Sequence, residues 1–134
     1  SSAIGACNTA SGTYSNAVGW RACATGFNSS TFGIRSCAND SYASAFGYES
    51  YATGLNAHAF GRATIACGIN DIAIGQYACT IPYAGATNQC PANNISIGYC
   101  TIAQNGFWCA LDPYAHLPSM AIGTCACSTS CASL

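Results

Sequence analysis

The 134-residue sequence has very little charge and no lysine. Three arginines and four acidic residues give a net charge of −1, which offers no electrostatic footprint for nucleic acid or for an anionic membrane. No run of 18 apolar residues occurs, so we expect no direct membrane insertion of this segment. A signal peptide and a heptad pattern are also absent, and we expect a mature or excised part of a longer chain.

The apolar share of 51% consists largely of alanine and cysteine, which bury little area each. The length fits a single domain, 1–134. Because a small core of such residues is only marginally stable, we expect covalent bridges or other packed chains to supplement it.

Glycine recurs at a fixed step of 14 residues, and each of these glycines follows a large apolar residue. The motif glycines are Gly5, Gly19, Gly33, Gly47, Gly61 and Gly75, followed after longer steps by Gly98 and Gly123. A second glycine often follows seven residues later, as at Gly12, and Asp40 once takes that place. A short fixed period of this kind indicates a stacked repeat.

Fourteen residues fit one coil of a β-solenoid, with two short strands that each end in a turn. We predict positive φ at both glycine corners, a conformation that Asp40 would also tolerate. Parallel strands about 4.8 Å apart would stack equivalent residues into columns. One such column is predicted to form an apolar ladder inside the roll, faced by columns of alanine. It comprises Ile4, Val18, Phe32, Phe46, Phe60 and Ile74.

The glycine step lengthens twice near the C-terminal end, yet the motif returns each time. We therefore predict an all-β roll of about eight coils. Regular coils would occupy residues 1–80, and insertions 81–92 and 104–118 would loop out of the stack. The restored coils would be 93–103 and 119–134. The insertions contain all four prolines, as loops do.

Eleven cysteines would normally indicate a disulfide framework in an oxidising compartment. Cys23 and Cys37 are predicted stacked neighbours at a Cα separation that a disulfide accepts. Cys90 and Cys109 lie one in each insertion and are the best candidates for a bridge. The alternative is that the cysteines are small hydrophobic residues filling a narrow coil. The spacings carry no zinc signature, and the odd number leaves at least one thiol free or paired between chains.

The unit, seen in residues 44–54 and 73–78, resembles the YadA-like head repeats of trimeric autotransporter adhesins. The resemblance covers residues 2–80, 94–103 and 119–128. It implies a left-handed parallel β-roll that packs as a homotrimer on a fibrous stalk at the cell surface. It also implies an extracellular head that binds a host cell-surface or extracellular-matrix component.

The cysteine content departs from that family, whose exported segments are usually almost free of cysteine. Fibres of large DNA viruses and phages carry similar repeats, and a particle assembled in a reducing cytosol could hold many thiols. A structural protein of a virion or phage fibre, without adhesin activity of its own, is therefore the alternative function.

Candidate catalytic residues are few. His58 has no acidic or histidine partner in its coil, and His116 lies near Asp112 in the second insertion. A Cys109–His116 pair is expected by chance among so many cysteines. The glycines are turn residues rather than a phosphate loop. We expect no enzyme activity, no catalytic residue, no metal and no cofactor.

Two further classes of β-solenoid fit poorly. An ice-binding solenoid needs a regular threonine array, and a hydrolase or lyase needs several carboxylates on one face; the four acids are scattered. The best candidate ice-binding column is Ser11, Thr25, Asn39, Thr53, Cys67 and Ile81, which is too irregular.

Other surface features are predicted from the columns. Arg35 and Glu49 share one column in successive coils and should form an ion pair worth under about 1 kcal/mol, next to Arg21. The residues after the motif glycines would pack against neighbouring chains or form a ligand-binding stripe; they include Trp20, Ile34, Tyr48 and Tyr99. Three N-glycosylation sequons matter only in a eukaryotic secretory pathway, and they begin at Asn28, Asn39 and Asn94.

The two insertions are the predicted binding surface, because they interrupt otherwise uniform coils and should emerge near the same end of the roll. Surface loops on a rigid scaffold commonly carry binding, and aromatic residues are enriched at interfaces. The candidate residues are Tyr83, Phe107, Trp108, Tyr114 and His116. The alternative is that these side chains cap the last coils or pack against neighbouring chains.

Overall fold

The chain folds as a parallel β-solenoid, in a computed structural model that describes residues 1–81, 93–105 and 118–130. Each coil contributes two strands, and the strands stack into two parallel sheets of eight strands each. The described residues contain no helix. The predicted all-β roll of eight coils is therefore confirmed.

The strands of the two sheets alternate along the chain. Sheet A contains β1 Ser2–Ala6, β3 Asn16–Trp20, β5 Ser30–Ile34, β7 Ser44–Tyr48, β9 His58–Arg62, β11 Ile72–Ile74, β13 Ile95–Tyr99 and β15 Met120–Thr124. Sheet B contains β2 Thr9–Ala10, β4 Cys23–Ala24, β6 Cys37–Ala38, β8 Tyr51–Ala52, β10 Ile65–Ala66, β12 Cys79–Ile81, β14 Ile102–Asn105 and β16 Cys127–Ser130.

The register never slips along either sheet. Phe32 pairs with Phe46 one coil later, and the insertions do not disturb this order, since Ile72 pairs with Ile95. Strand β12 includes Ile81, and β14 runs to Asn105. The stacked coils thus extend one and two residues into the segments predicted as insertions.

The described interior of the roll is filled mainly by small side chains, with Asp71 and Asn94 as larger buried polar residues. The fully buried apolar residues are alanines, among them Ala17, Ala45, Ala59 and Ala73, and serine and threonine fill other inward positions. The predicted alanine columns are therefore confirmed as core.

The prediction that the column of Ile4 to Ile74 lies inside is wrong. Its side chains point outward from sheet A, and Ile4 is 62% exposed. The physical reason is space: two strands facing each other across one 14-residue coil leave room for methyl groups and hydroxyls, but not for phenylalanine rings. Alternation of period two identifies two faces of a strand but does not say which one is enclosed.

The motif glycines adopt the predicted positive φ, at 134° in Gly47. The second glycines do not, so the expectation for those corners and for Asp40 is wrong. Gly12 is needed for space instead, because a Cβ there would lie 2.0 Å from the carbonyl oxygen of Gly26. The left-handed residues of the coil are others, such as Arg21 and Tyr42, with φ of 55° and 60°.

The buried column that precedes the strands of sheet A is polar in several coils and holds alanine in two, at Ala43 and Ala57. Ser15 Oγ donates a hydrogen bond to the carbonyl of Gly12. In the sixth coil the same position holds Asp71, whose carboxylate accepts the backbone N–H groups of Gly68 and Asn94, both at 2.8 Å. Burial raises the pKa of the Asp71 carboxyl above its usual range, although these hydrogen bonds oppose the shift.

The described cysteines occupy outward or corner positions, so the interpretation that they fill the core is wrong. All of them are free thiols: Cys7, Cys23, Cys37, Cys67, Cys79, Cys100, Cys125 and Cys127. Cys90 and Cys109 lie outside the described residues, and a bridge between them stays a prediction.

Cys23 and Cys37 are partners in register, as predicted, but no bond joins them. Side chains stacked in register keep about the 4.8 Å strand spacing between their Cβ atoms, whereas a disulfide brings them to about 3.5–4.5 Å. Burial, followed by the neighbouring Cys23, raises the pKa of Cys37 to about 11.

Candidate self-association surface

The outward face of sheet A carries an unbroken column of large apolar side chains, one from each coil. We call this column the apolar ladder. Its members are Ile4, Val18, Phe32, Phe46, Phe60, Ile74, Ile97 and Ile122. The ladder follows directly from the sequence, since each member precedes a motif glycine and the register aligns them.

Aromatic rings stack in the middle of the ladder because their strands are in register. The ring centroids of Phe32 and Phe46 are 4.8 Å apart, with an interplanar angle of 11°. Those of Phe46 and Phe60 are 5.1 Å apart, and His58 lies beside Phe60 at 6.2 Å. The stacked rings shield one another along the column, but their outer faces stay open. Phe32 remains 39% exposed.

The column beside the ladder, two residues earlier in each coil, changes character along the roll. It is polar in the first five coils, ending at His58, and apolar in the last three, at Ile72, Ile95 and Met120. The apolar surface therefore widens toward the C-terminal coils, where Met120 is 58% exposed. Continuous exposed apolar surface of this kind marks an interaction site.

Neither the ladder nor the column two residues before it contains a described arginine, lysine or carboxylate; the column two residues after the ladder contains one arginine, Arg62. Covering the ladder would thus desolvate few polar groups. Full burial of a large apolar side chain contributes about 1.5–3 kcal/mol, so each half-exposed member would gain about 1 kcal/mol. Among the described residues, no cluster of three or more histidine, cysteine or acidic side chains could hold a metal ion.

The 14-residue repeat is similar to a known family repeat. Residues 1–22 and 52–78 match the YadA head domain repeat, in two copies. These two stretches of the chain thus carry a YadA-like head repeat. Between the two matched stretches, strands β5 to β7 continue the same register, so the repeat extends through coils that the match leaves out. No curated protein matches the chain.

The matched model describes the head repeat of adhesin-type surface modules. The described part of the chain has no helix long and apolar enough to cross a membrane.

The sequence located the repeat but missed this surface. The motif glycines stand at the predicted corners, and the predicted Arg35–Glu49 ion pair forms, at 3.1 Å. The signal that could have revealed the surface was the size of the alternate residues, because every inward column is small. The predicted binding residues lie outside the described ranges: Tyr83, Phe107, Trp108, Tyr114 and His116.

Proposed function

We propose that this chain is a homotrimeric module of an extracellular surface fibre that attaches to a host-cell or matrix component. The observation that carries the proposal is the apolar ladder, which lies outside a roll whose own interior holds mainly small side chains. A chain with so thin a core gains stability when copies cover the exposed face. The family match supports the same conclusion.

A closed ring of three copies would cover every ladder at once. Closed symmetry leaves no uncovered copy of the interface, whereas open stacking would leave one at each end. The stacked phenylalanines at the centre of the ladder would then lie at the centre of the interface.

Light scattering after size-exclusion chromatography tests the assembly. The wild-type chain should elute with three times the mass of one chain. Phe46→Asp places a charge in the middle of the ladder and should give a monomer, whereas Tyr51→Asp, at an exposed position of sheet B, should leave the mass unchanged. A folded wild-type monomer, or equal behaviour of both variants, would contradict the proposal.

Attachment is assigned to the second insertion. Because Gln104 and Asn105 belong to β14, the replacement by a short Gly-Ser turn is best limited to residues 106–117. We expect the trimer mass to persist while binding to fixed epithelial cells and to basement-membrane extract becomes weaker. A monomeric product would instead identify this segment as an assembly element.

The second candidate, a structural protein of a virion or phage fibre, is favoured by the free thiols, which suit a reducing compartment. Intact mass with and without alkylation under denaturing conditions distinguishes the two settings. Full alkylation of chain purified without reductant would favour cytosolic assembly, and bridged cysteines would favour secretion.

A further inference from the structure

All three arginines of the chain lie along one corner of the roll, where the strands of sheet A end: Arg62 is the last residue of β9, and Arg21 and Arg35 directly follow β3 and β5. We call this corner the arginine ridge. Its members are Trp20, Arg21, Arg35, Tyr48, Glu49, Arg62, Tyr77 and Tyr99, all one or two residues after a motif glycine. Since the chain has no lysine, the ridge holds every strongly basic side chain in the molecule.

The upper part of the ridge groups two arginines around one indole. The guanidinium carbons of Arg21 and Arg35 lie 5.1 and 5.8 Å from the centre of the Trp20 ring. Arg35 also forms the ion pair with Glu49, so its position is held from two sides. The indole draws two like charges together in a place where they would otherwise repel each other.

The lower part repeats the arrangement with tyrosines. The guanidinium of Arg62 lies between the rings of Tyr48 and Tyr77, at 6.0 and 5.9 Å. Tyr77 in turn meets Tyr99 edge to face at 6.1 Å. Cations and aromatic rings therefore alternate along the ridge, and Arg21 and Arg62 are three coils apart, roughly 14 Å at the strand spacing.

The backbone N–H groups at the left-handed positions of the ridge are already hydrogen-bonded. Arg21 and Arg35 adopt left-handed φ, and their N–H groups donate to carbonyls of the preceding coil at 3.0 and 2.9 Å. Tyr77 does the same with the carbonyl of Arg62. The donors that these residues present to a partner are therefore side-chain groups, namely guanidinium groups and phenol hydroxyls, alongside the exposed ring faces.

We propose that the arginine ridge binds an acidic polysaccharide laid along the axis of the roll. The guanidinium fork matches carboxylate and sulfate groups, and the exposed rings offer flat apolar faces to sugar rings. The ridge has a net charge of +2, from three arginines and one glutamate, whereas the whole chain has −1. This proposal rests on the proposed attachment function and adds to it a second contact, separate from the one proposed for the second insertion.

Two other polyanionic partners fit less well. An extended peptide is usually recognised through alternating backbone donors and acceptors, and the N–H groups of Arg21, Arg35 and Tyr77 are already bonded to the preceding coil. A nucleic acid is usually bound through roughly 6–10 phosphate contacts, far more than three arginines supply. Binding of a polysaccharide requires neither backbone pairing nor so many cationic contacts.

Binding of the full chain to immobilised heparin tests the proposal. Unsulfated heparosan serves as a second probe that offers carboxylates but no sulfates. Polyglutamate and single-stranded DNA are the competing arms. We expect wild-type binding to one or both glycans and roughly tenfold or greater weakening in the variant Arg21→Gln/Arg35→Gln/Arg62→Gln. The matched control, Asp40→Asn with Tyr42→Ser, alters a different corner of the roll and should bind as wild type.

Comparing wild-type binding to heparin with binding to heparosan separates sulfate recognition from carboxylate recognition. A preference for either glycan supports the proposal. Absence of wild-type binding to both glycans, or equal binding by the triple variant, would overturn the proposal. So would equal or tighter binding of polyglutamate or DNA. Light scattering on the same samples distinguishes assembly from binding: a changed mass in the triple variant would make the ridge a chain contact, whereas failure of the ridge with an intact trimer would leave the proposed fibre function standing.

Discussion

Replacing one motif glycine by alanine should separate two reasons for its presence. In Gly47, φ is 134°, and an added Cβ would lie 1.9 Å from the carbonyl oxygen of Gly61 in the next coil. Gly123 has nearly the same φ, 129°, but it belongs to the last coil, and its nearest neighbour would be the Cβ of Ala126 at 4.0 Å. The pair therefore shares the backbone conformation and differs in the contact.

The backbone strain alone costs of order 1–3 kcal/mol. At Gly47 the next coil must also move by about 1 Å to reach the 3.0 Å below which real Cβ contacts are not found. Such a shift would weaken the hydrogen bonds between β7 and β9, each worth about 0.5–1.5 kcal/mol net. We expect Gly47→Ala to destabilise the fold by about 3–6 kcal/mol and Gly123→Ala by about 1–3 kcal/mol.

Thermal and denaturant unfolding at one fixed chain concentration would measure both variants, since self-association makes stability depend on concentration. Hydrogen exchange should be added for Gly123→Ala, because a terminal coil can open without global unfolding. Equal losses in the two variants would refute the argument that close stacking of the coils, beyond φ, demands glycine at this corner.

Three further changes test the interior and the thiols. Ala59→Leu, at a fully buried position, should overpack the core and cost about 1–3 kcal/mol in denaturant unfolding; stability equal to wild type would mean that the roll can widen. The raised pKa of Asp71 makes the folded state bind a proton more readily than the unfolded one, so stability should fall as pH rises from about 4 through the folded pKa. Asp71→Ser, which installs the residue of earlier coils, should flatten that dependence in melts from pH 4 to 7, and an unchanged slope would count against it. Burial raises the pKa of Cys37 and Cys79 to about 11, so iodoacetamide at pH 8 should modify both more slowly than exposed Cys125 in peptide mass analysis, and equal rates would contradict this.

The period and the architecture were readable in the sequence because they depend on local chemistry. Glycine at a fixed step indicates corners, and equal spacing implies equal register, so the pairing of Phe32 with Phe46 could be foreseen. The ion pair of Arg35 with Glu49 followed from the same column argument.

What could not be read was which face is enclosed, because that depends on the distance between the two sheets. Hydrophobicity alone favoured the phenylalanines as core and the cysteines as filler. The volume available inside one coil decided otherwise, and it placed Phe46 outside and Ala45 inside. The role of Asp71 was equally hidden, since it is set by the backbone donors of Gly68 and Asn94, and Asn94 is 23 residues away along the chain.

Because the register is constant, the number of coils sets the length of the roll. Each coil lengthens it by one strand spacing, about 4.8 Å, and faces its neighbours with the same small inward residues and the same corner glycines. Whole coils could therefore be gained or lost without redesign of those that remain, provided that the change is made in units of 14 residues. The pairing of Ile72 with Ile95 shows a second freedom: the step along the chain can grow from 14 to 23 residues while the strands on either side still meet in register. The number of coils and the length of chain between two paired strands can in this way be altered independently.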